Sequence, residues 1–179
     1  MADVNRSINR VYIKKTDLNL DNITANGNPL KDIKFNISIT GGKINTEHEE
    51  SKGVTGNTLI TDASGEGVII IEPNPGVTTV NLTLTEETSI YYEPNNPINI
   101  TFTYNDMIGQ WTTQNVALNS NNLYQVTMQN ESKCEVVIKN KAIIQKLKLL
   151  KINAYITDEV LTDITFRIQL ENARTKSGS

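Results

Sequence analysis

The fold follows from a stretch near the start of the chain, Val11-Tyr12-Ile13-Lys14-Lys15-Thr16-Asp17. Its side chains alternate as in a half-buried strand, which puts Val11, Ile13 and Lys15 on one face. A lysine on an apolar face is unusual, because burial of an unpaired ammonium group is costly and lowers the pKa of the amine. Lys15 therefore either reaches solvent at the end of the strand or has a partner inside the protein.

Two other strands also end an apolar stripe with one polar residue. In the segment 77–87, Val80, Leu82 and Leu84 share one face, and Glu86 finishes that face. The segment 134–140 follows the same rule and finishes with Asn140. Cys134 begins this last stripe, so we expect a small buried hydrophobe there and not a reactive thiol. As the single cysteine of the chain, it also excludes an intrachain disulfide.

Short alternating stretches recur along the whole chain, and none carries helical periodicity for more than a turn or two. Glycine pairs such as Gly41-Gly42 and the turn residues Asp62 and Gly65 separate these stretches. Trp111 is a candidate core residue within a further strand expected over 110–118. Some ten short strands with turns between them predict an all-β fold, an antiparallel sandwich.

Composition argues against several classes of function. The net charge of −3 gives no reason to expect a nucleic acid or an anionic membrane surface as partner. No apolar run approaches the roughly 20 residues that a membrane span needs. Asp17, Asn19 and Asp21 resemble the start of a calcium loop, but the glycine and the final glutamate of such a loop are missing. His48 lies among adjacent glutamates that would point in different directions, so we expect neither a metal nor a cofactor.

The end of the chain repeats its beginning. The spacing Leu-x-Leu-x-Lys of 147–151 repeats Val-x-Ile-x-Lys of 11–15, and 162–168 repeats 31–37. The expected organisation is a flexible leader 1–9, a sandwich domain 10–141 and the first strands of a second copy in 146–179. We interpret the sequence as a fragment of a longer protein.

The arrangement of these motifs resembles the Cna B-type repeat of Gram-positive surface adhesins and pilins. The resemblance covers 10–141 in the family's order, with a partial copy in 146–170, although the segment 89–129 is longer than the family usually has. It implies an Ig-like or prealbumin-like sandwich on the bacterial cell surface, with neighbouring repeats of the same chain as partners. A host extracellular ligand stays an open question. The matching motifs are Ile13-x-Lys15-x-Asp17, Leu30-x-Asp32-Ile33-x-Phe35, Thr61-Asp62-x-x-Gly65, Leu82-x-Leu84-x-Glu86 and Val136-x-Ile138-x-Asn140.

The resemblance also implies a chemistry for the three polar residues. In the family a lysine on the first strand joins an asparagine on the last, beside an acidic residue on a middle strand. Carried over, these are Lys15, Asn140 and Glu86. An apolar core favours neutral forms, so Lys15 can lose its proton and Glu86 can keep one. Lys15 then attacks the amide carbon of Asn140, while Glu86 polarises the carbonyl and shuttles protons as ammonia leaves. Such a single-turnover cross-linking reaction does not make the protein an enzyme.

Other outcomes for these residues stay open. The three side chains either react, form an unreacted hydrogen-bonded cluster, or lie exposed at the ends of their strands. A one-residue slip of register would replace Lys15 by Lys14 and Glu86 by Glu87, because neighbouring residues face opposite sides of a sheet.

Two rival functions use other residues. The first is a sandwich that binds a glycan or host protein through the segment 89–129, which contains Tyr91, Tyr92, Tyr104 and Trp111. The second is a catalytic enzyme, which is the weaker hypothesis because one histidine in a charged loop and one buried cysteine offer little for a nucleophile and its base.

We predict that residues 10–141 fold without the segment 146–179, because two strands with an unpaired edge do not form a stable unit alone. Limited proteolysis of the full chain should remove the tail and leave the body, as read from the mass of the resistant fragment. A tail that resists the protease as well as the body does would contradict this boundary.

Overall fold

A computed structural model describes residues 9–25, 27–130, 132–143, 151, 155 and 160–167. The chain divides into two units, Met1–Ile144 and Gln145–Ser179. In the second unit the stretch 147–151, expected to open a second copy, lies outside the described residues except for Lys151. Residues 162–167 form no strand, and the Leu161 amide donates a hydrogen bond of 3.0 Å to the Lys151 carbonyl.

The described part of the first unit is built from strands, and it contains no helix. The strands are β1 (Asn9–Asp17), β2 (Lys34–Thr40), β3 (Gly42–Ile44), β4 (Val54–Thr55), β5 (Thr58–Ile60), β6 (Glu66–Pro73), β7 (Thr79–Glu86), β8 (Ile98–Asn105), β9 (Gln110–Thr113), β10 (Tyr124–Asn130) and β11 (Lys133–Asn140). They form two sheets, with the orders β10-β11-β1-β6-β3 and β4-β5-β2-β7-β8-β9. The predicted all-β sandwich is confirmed.

One strand pair departs from the antiparallel rule. The first and last strands of the unit, β1 and β11, lie side by side and run parallel, whereas the other paired strands are antiparallel. In this register Lys15 is opposite Ile138, and Asp17 is opposite Asn140. The first and last strands of the unit are therefore neighbours in one sheet, and the start of β1 and the end of β11 lie at opposite ends of the pair.

The core lies between the two sheets and follows the alternation of the sequence. In β1 the side chains of Val11, Ile13 and Lys15 are buried, whereas Lys14 is exposed. Each apolar side chain that is fully buried in this way contributes roughly 1.5–3 kcal/mol relative to an exposed one. The apolar core includes Phe35, Ile37, Leu59, Ile69, Ile71, Val80, Leu82, Leu84, Ile98, Ile100, Phe102, Val126, Val136 and Ile138.

Two expected core residues are found there. Trp111 is 1% exposed, and the Tyr104 ring packs edge-on against it with the centroids 5.4 Å apart. The strand expected over 110–118 ends earlier than predicted, since β9 covers only Gln110–Thr113. Cys134 is fully buried as predicted, and burial raises the pKa of its thiol to about 12, which disfavours the reactive thiolate.

The turn between β5 and β6 connects the two sheets, since these strands belong to different sheets. Its geometry is the one that the sequence predicts: the Gly65 amide donates to the Asp62 carbonyl at 2.9 Å, and the Asp62 carboxylate accepts from two further amides. Gly65 has φ = +72°, and a Cβ there would lie 2.2 Å from the backbone oxygen of Lys15. Only glycine allows the turn to approach β1 so closely.

We predict that Gly65→Ala destabilises the protein more than Gly76→Ala does. Gly76 has a similar positive φ of +75° but open space around it, so its replacement costs only the conformational strain of about 1–2 kcal/mol. The contact with Lys15 should add at least about 1 kcal/mol at Gly65. Urea denaturation of the full chain measures both values, and equal losses would show that the close approach does not matter.

Candidate cross-linking site

Lys15 is the buried cation at the centre of the site. Its side chain is 0% exposed and extends from β1 into the space between the sheets. The backbone of Lys15 is held on both sides, because its amide donates to the Gly65 carbonyl and its carbonyl accepts from the Leu30 amide. Its Nζ lies 5.5 Å from the centroid of the Phe35 ring, within the range of a cation–π contact.

The parallel register of β1 and β11 brings Asn140 to this amine. Asn140 lies two positions beyond Ile138, the partner of Lys15, so both side chains lie on the same face of the sheet. Diagonal neighbours on adjacent strands are roughly 7–8 Å apart at the backbone, which a lysine side chain spans. The Nζ of Lys15 contacts the Oδ1 of Asn140, which is fully buried.

Glu86 reaches the same point from the opposite sheet. It is the last residue of β7, opposite Phe35 of β2, and its side chain is 2% exposed. One carboxylate oxygen, Oε2, lies 2.9 Å from the Nζ of Lys15, and the other, Oε1, accepts a hydrogen bond from the Nδ2 of Asn140. A carboxylate, an amine and an amide from three strands and both sheets are therefore in mutual contact.

A fourth residue, Asn95, completes the cluster and was not anticipated from the sequence. Its Nδ2 lies 2.6 Å from the Oδ1 of Asn140 and 2.9 Å from the Lys139 carbonyl, and its backbone amide lies 3.3 Å from the Oε2 of Glu86. Asn95 lies in the connection between β7 and β8, where no alternation marks a side chain as inward-facing. A pair of asparagines between Pro94 and Pro97 is the only signal there, and it indicates a turn.

Burial makes the amine of Lys15 easier to deprotonate. The loss of hydration lowers the pKa of Lys15 to about 8, although the negative charge of Glu86 and its hydrogen bond act in the opposite direction. Compared with an ordinary lysine of pKa 10.5, a larger fraction of the Lys15 amine is therefore neutral and nucleophilic at neutral pH. The site therefore presents a usable amine next to an amide carbonyl.

The structure brings Lys15, Glu86 and Asn140 together and keeps the register alternatives away from them. Lys14 is exposed, and Glu87 pairs with Lys34 at 2.7 Å on the outer face. Exposure at the strand ends is excluded by the burial of all three residues. One detail differs from the expectation: Glu86 contacts the nitrogen of the Asn140 amide, so it does not polarise the oxygen in this arrangement.

The residues that a hydrolytic or metal site would use are not assembled within the described part of the chain. The ring of His48 accepts a hydrogen bond of 3.2 Å from the Glu50 amide in its loop, and Cys134 is buried elsewhere in the core. No group of three histidine, cysteine, aspartate or glutamate side chains there is suited to hold a metal ion.

The segment 89–129 offers a limited surface for a ligand. Trp111 and Tyr104 pack against each other, Tyr91 is 44% exposed, and Tyr92 and Tyr124 are half-buried. Two cavities among the described residues have volumes of about 200 and 290 Å³, below the roughly 300–1,000 Å³ of typical ligand sites. The smaller one is lined by residues 94–96 and 120–124.

Within the described residues, the structure contains no helix with the length and apolar character needed to cross a membrane.

Comparison with known proteins adds neither a family nor an activity to these observations. The chain matches no protein-family model, and no curated protein matches it. Its function is therefore inferred from the chemistry of its own site.

Proposed function

We propose that this chain is a structural β-sandwich module that forms an isopeptide bond between Lys15 and Asn140 by itself. The observation that carries the proposal is the mutual contact of an amine, an amide and a carboxylate that are shielded from water inside an apolar core. Charged residues are rarely buried so completely without a specific reason.

The reaction uses each contact of the site. The neutral Nζ of Lys15 attacks Cγ of Asn140, and the new bond forms as one Nζ proton passes to Oε2 of Glu86. The proton then leaves Glu86 for the Nδ2 of Asn140, which Oε1 contacts, and the Cγ–Nδ2 bond breaks. The products are a secondary amide and one ammonia, so the atoms balance without any further reagent.

The bond also removes the ammonium charge of Lys15 from the interior, whereas the carboxylate of Glu86 stays there. A buried ion pair between Lys15 and Glu86 recovers its desolvation cost only with good geometry, whereas an amide carries no charge to desolvate. The cross-link closes a loop of 125 positions between Lys15 and Asn140. If the loop-entropy relation for disulfides applies, this constraint stabilises the fold by about 5 kcal/mol.

The biological setting that we propose follows the resemblance to Cna B-type repeats. The chain would be a stalk or repeat domain of an adhesin or pilin on a bacterial cell surface, joined to neighbouring repeats of the same protein. A bond that reducing agents do not cleave suits a module with a single, buried cysteine. A partner of the host is not needed for this role.

The first test is the intact mass of the folded chain, which should be lower than the sequence mass by one ammonia. Digestion should yield a branched peptide that contains Lys15 and Asn140. Glu86→Gln should keep the fold but lose most of the bond, because an amide cannot accept and return the proton.

Two exposed neighbours provide controls: Glu87→Gln makes the same change as Glu86→Gln on the opposite face, and Lys14→Ala removes a lysine from that face. Both variants should form the bond as the original chain does. The sequence mass in correctly folded protein would refute the cross-link, and normal bond formation in Glu86→Gln would refute the role of the carboxylate.

The rate of bond formation should depend on pH through Lys15. Since the neutral amine is the reactive form, the rate should rise about tenfold per pH unit below pH 8 and level off above it. Chain that is synthesised in a short pulse and held in denaturant can be diluted into buffers of different pH and followed by mass. A rate that keeps rising toward pH 10.5 would mean that burial does not activate the amine.

A further inference from the structure

We propose that Asn95 is a catalytic residue of this reaction and that it stabilises the negative charge that develops on the Oδ1 of Asn140. This inference rests on the proposed cross-linking function and adds a residue to it. When an amine attacks an amide carbon, the carbonyl oxygen becomes an oxyanion, and a hydrogen-bond donor aimed at that oxygen lowers the barrier.

The Oδ1 of Asn140 has two donors among the described residues, Lys15 and Asn95. Lys15 is the nucleophile, so its nitrogen moves from the oxygen to the adjacent carbon as the bond forms. Glu86 accepts a hydrogen bond from the leaving nitrogen and later returns a proton to it, so it provides no donor for the oxygen in this arrangement. The Nδ2 of Asn95, at 2.6 Å, is thus the donor that remains during the reaction.

The surroundings of Asn95 fix which end of its amide faces the site. The same Nδ2 donates to the backbone carbonyl of Lys139 at 2.9 Å, and a carbonyl oxygen accepts hydrogen bonds but does not donate them. Turning the amide by 180° would place its oxygen against two other oxygens, that of Lys139 and that of Asn140. The NH₂ group is therefore held toward the reacting amide before the reaction begins, which is the preorganisation that such catalysis requires.

A second contact joins Asn95 to the proton-transfer group. Its backbone amide lies 3.3 Å from the Oε2 of Glu86, the oxygen that faces Lys15. Because this contact uses the main chain, it persists when the side chain is replaced. Side-chain substitutions therefore test the donor to Asn140 while the contact to Glu86 is kept.

The experiment measures the rate of ammonia loss after dilution from denaturant, by intact mass, for the original chain and for Asn95→Ala, Asn95→Asp and Asn96→Ala. Loss of one oxyanion donor should slow the reaction roughly 100-fold in Asn95→Ala. Asn95→Asp should be slowed at least as much, because a carboxylate of the same shape has no proton to donate. Asn96→Ala, a change at the exposed neighbour, should react at the original rate.

A pH profile separates this role from a merely structural one. In Asn95→Ala the rate should fall at every pH while the pH of half-maximal rate stays where it is in the original chain, because Lys15 and Glu86 keep their contact. A shift in the pH of half-maximal rate of Asn95→Ala would overturn the assignment. So would a rate near that of the original chain in either Asn95 variant. If the original chain loses no ammonia at all, the proposed cross-linking function itself fails, which is a distinct result.

Discussion

The amine of Lys15, held in a dry space between two sheets, is the constraint on which the rest of the structure depends. An isolated ammonium group at this depth would be strongly unfavourable, so the fold supplies a carboxylate from Glu86, an amide from Asn140 and an aromatic face from Phe35. These three side chains come from three different strands, β7, β11 and β2. The sandwich thus brings polar groups to one point of an apolar core, and that point has the composition of a reaction centre.

The site exists only in the complete sandwich. Lys15 and Glu86 are 71 positions apart in the chain, Glu86 and Asn140 are 54 apart, and Lys15 and Asn140 are 125 apart. Contacts of such length form late in folding because closing long loops costs entropy before any contact is gained. Bond formation in this scheme therefore follows folding, which keeps the amine from reacting with other amides while the chain is still open.

Much of the fold and three residues of the site could be predicted because a strand repeats every two residues. That period identified the buried faces on which Lys15, Glu86 and Asn140 lie. It could not show that β1 and β11 run parallel, or that β5 and β6 belong to different sheets, because pairing is decided between distant strands. Asn95 was missed for a related reason: its side chain faces inward from a connection, where the sequence carries no period at all.

The parallel pairing of β1 and β11 has a mechanical consequence. The chain enters β1 at Asn9 and leaves β11 at Asn140, so tension between these points pulls the two strands lengthwise in opposite directions. With Lys15 joined to Asn140, the force passes along β1 from Asn9 to Lys15, then across the covalent bond and out of the module. Everything between these two residues is bypassed and cannot be drawn out, so the sandwich would carry a pulling force with almost no extension.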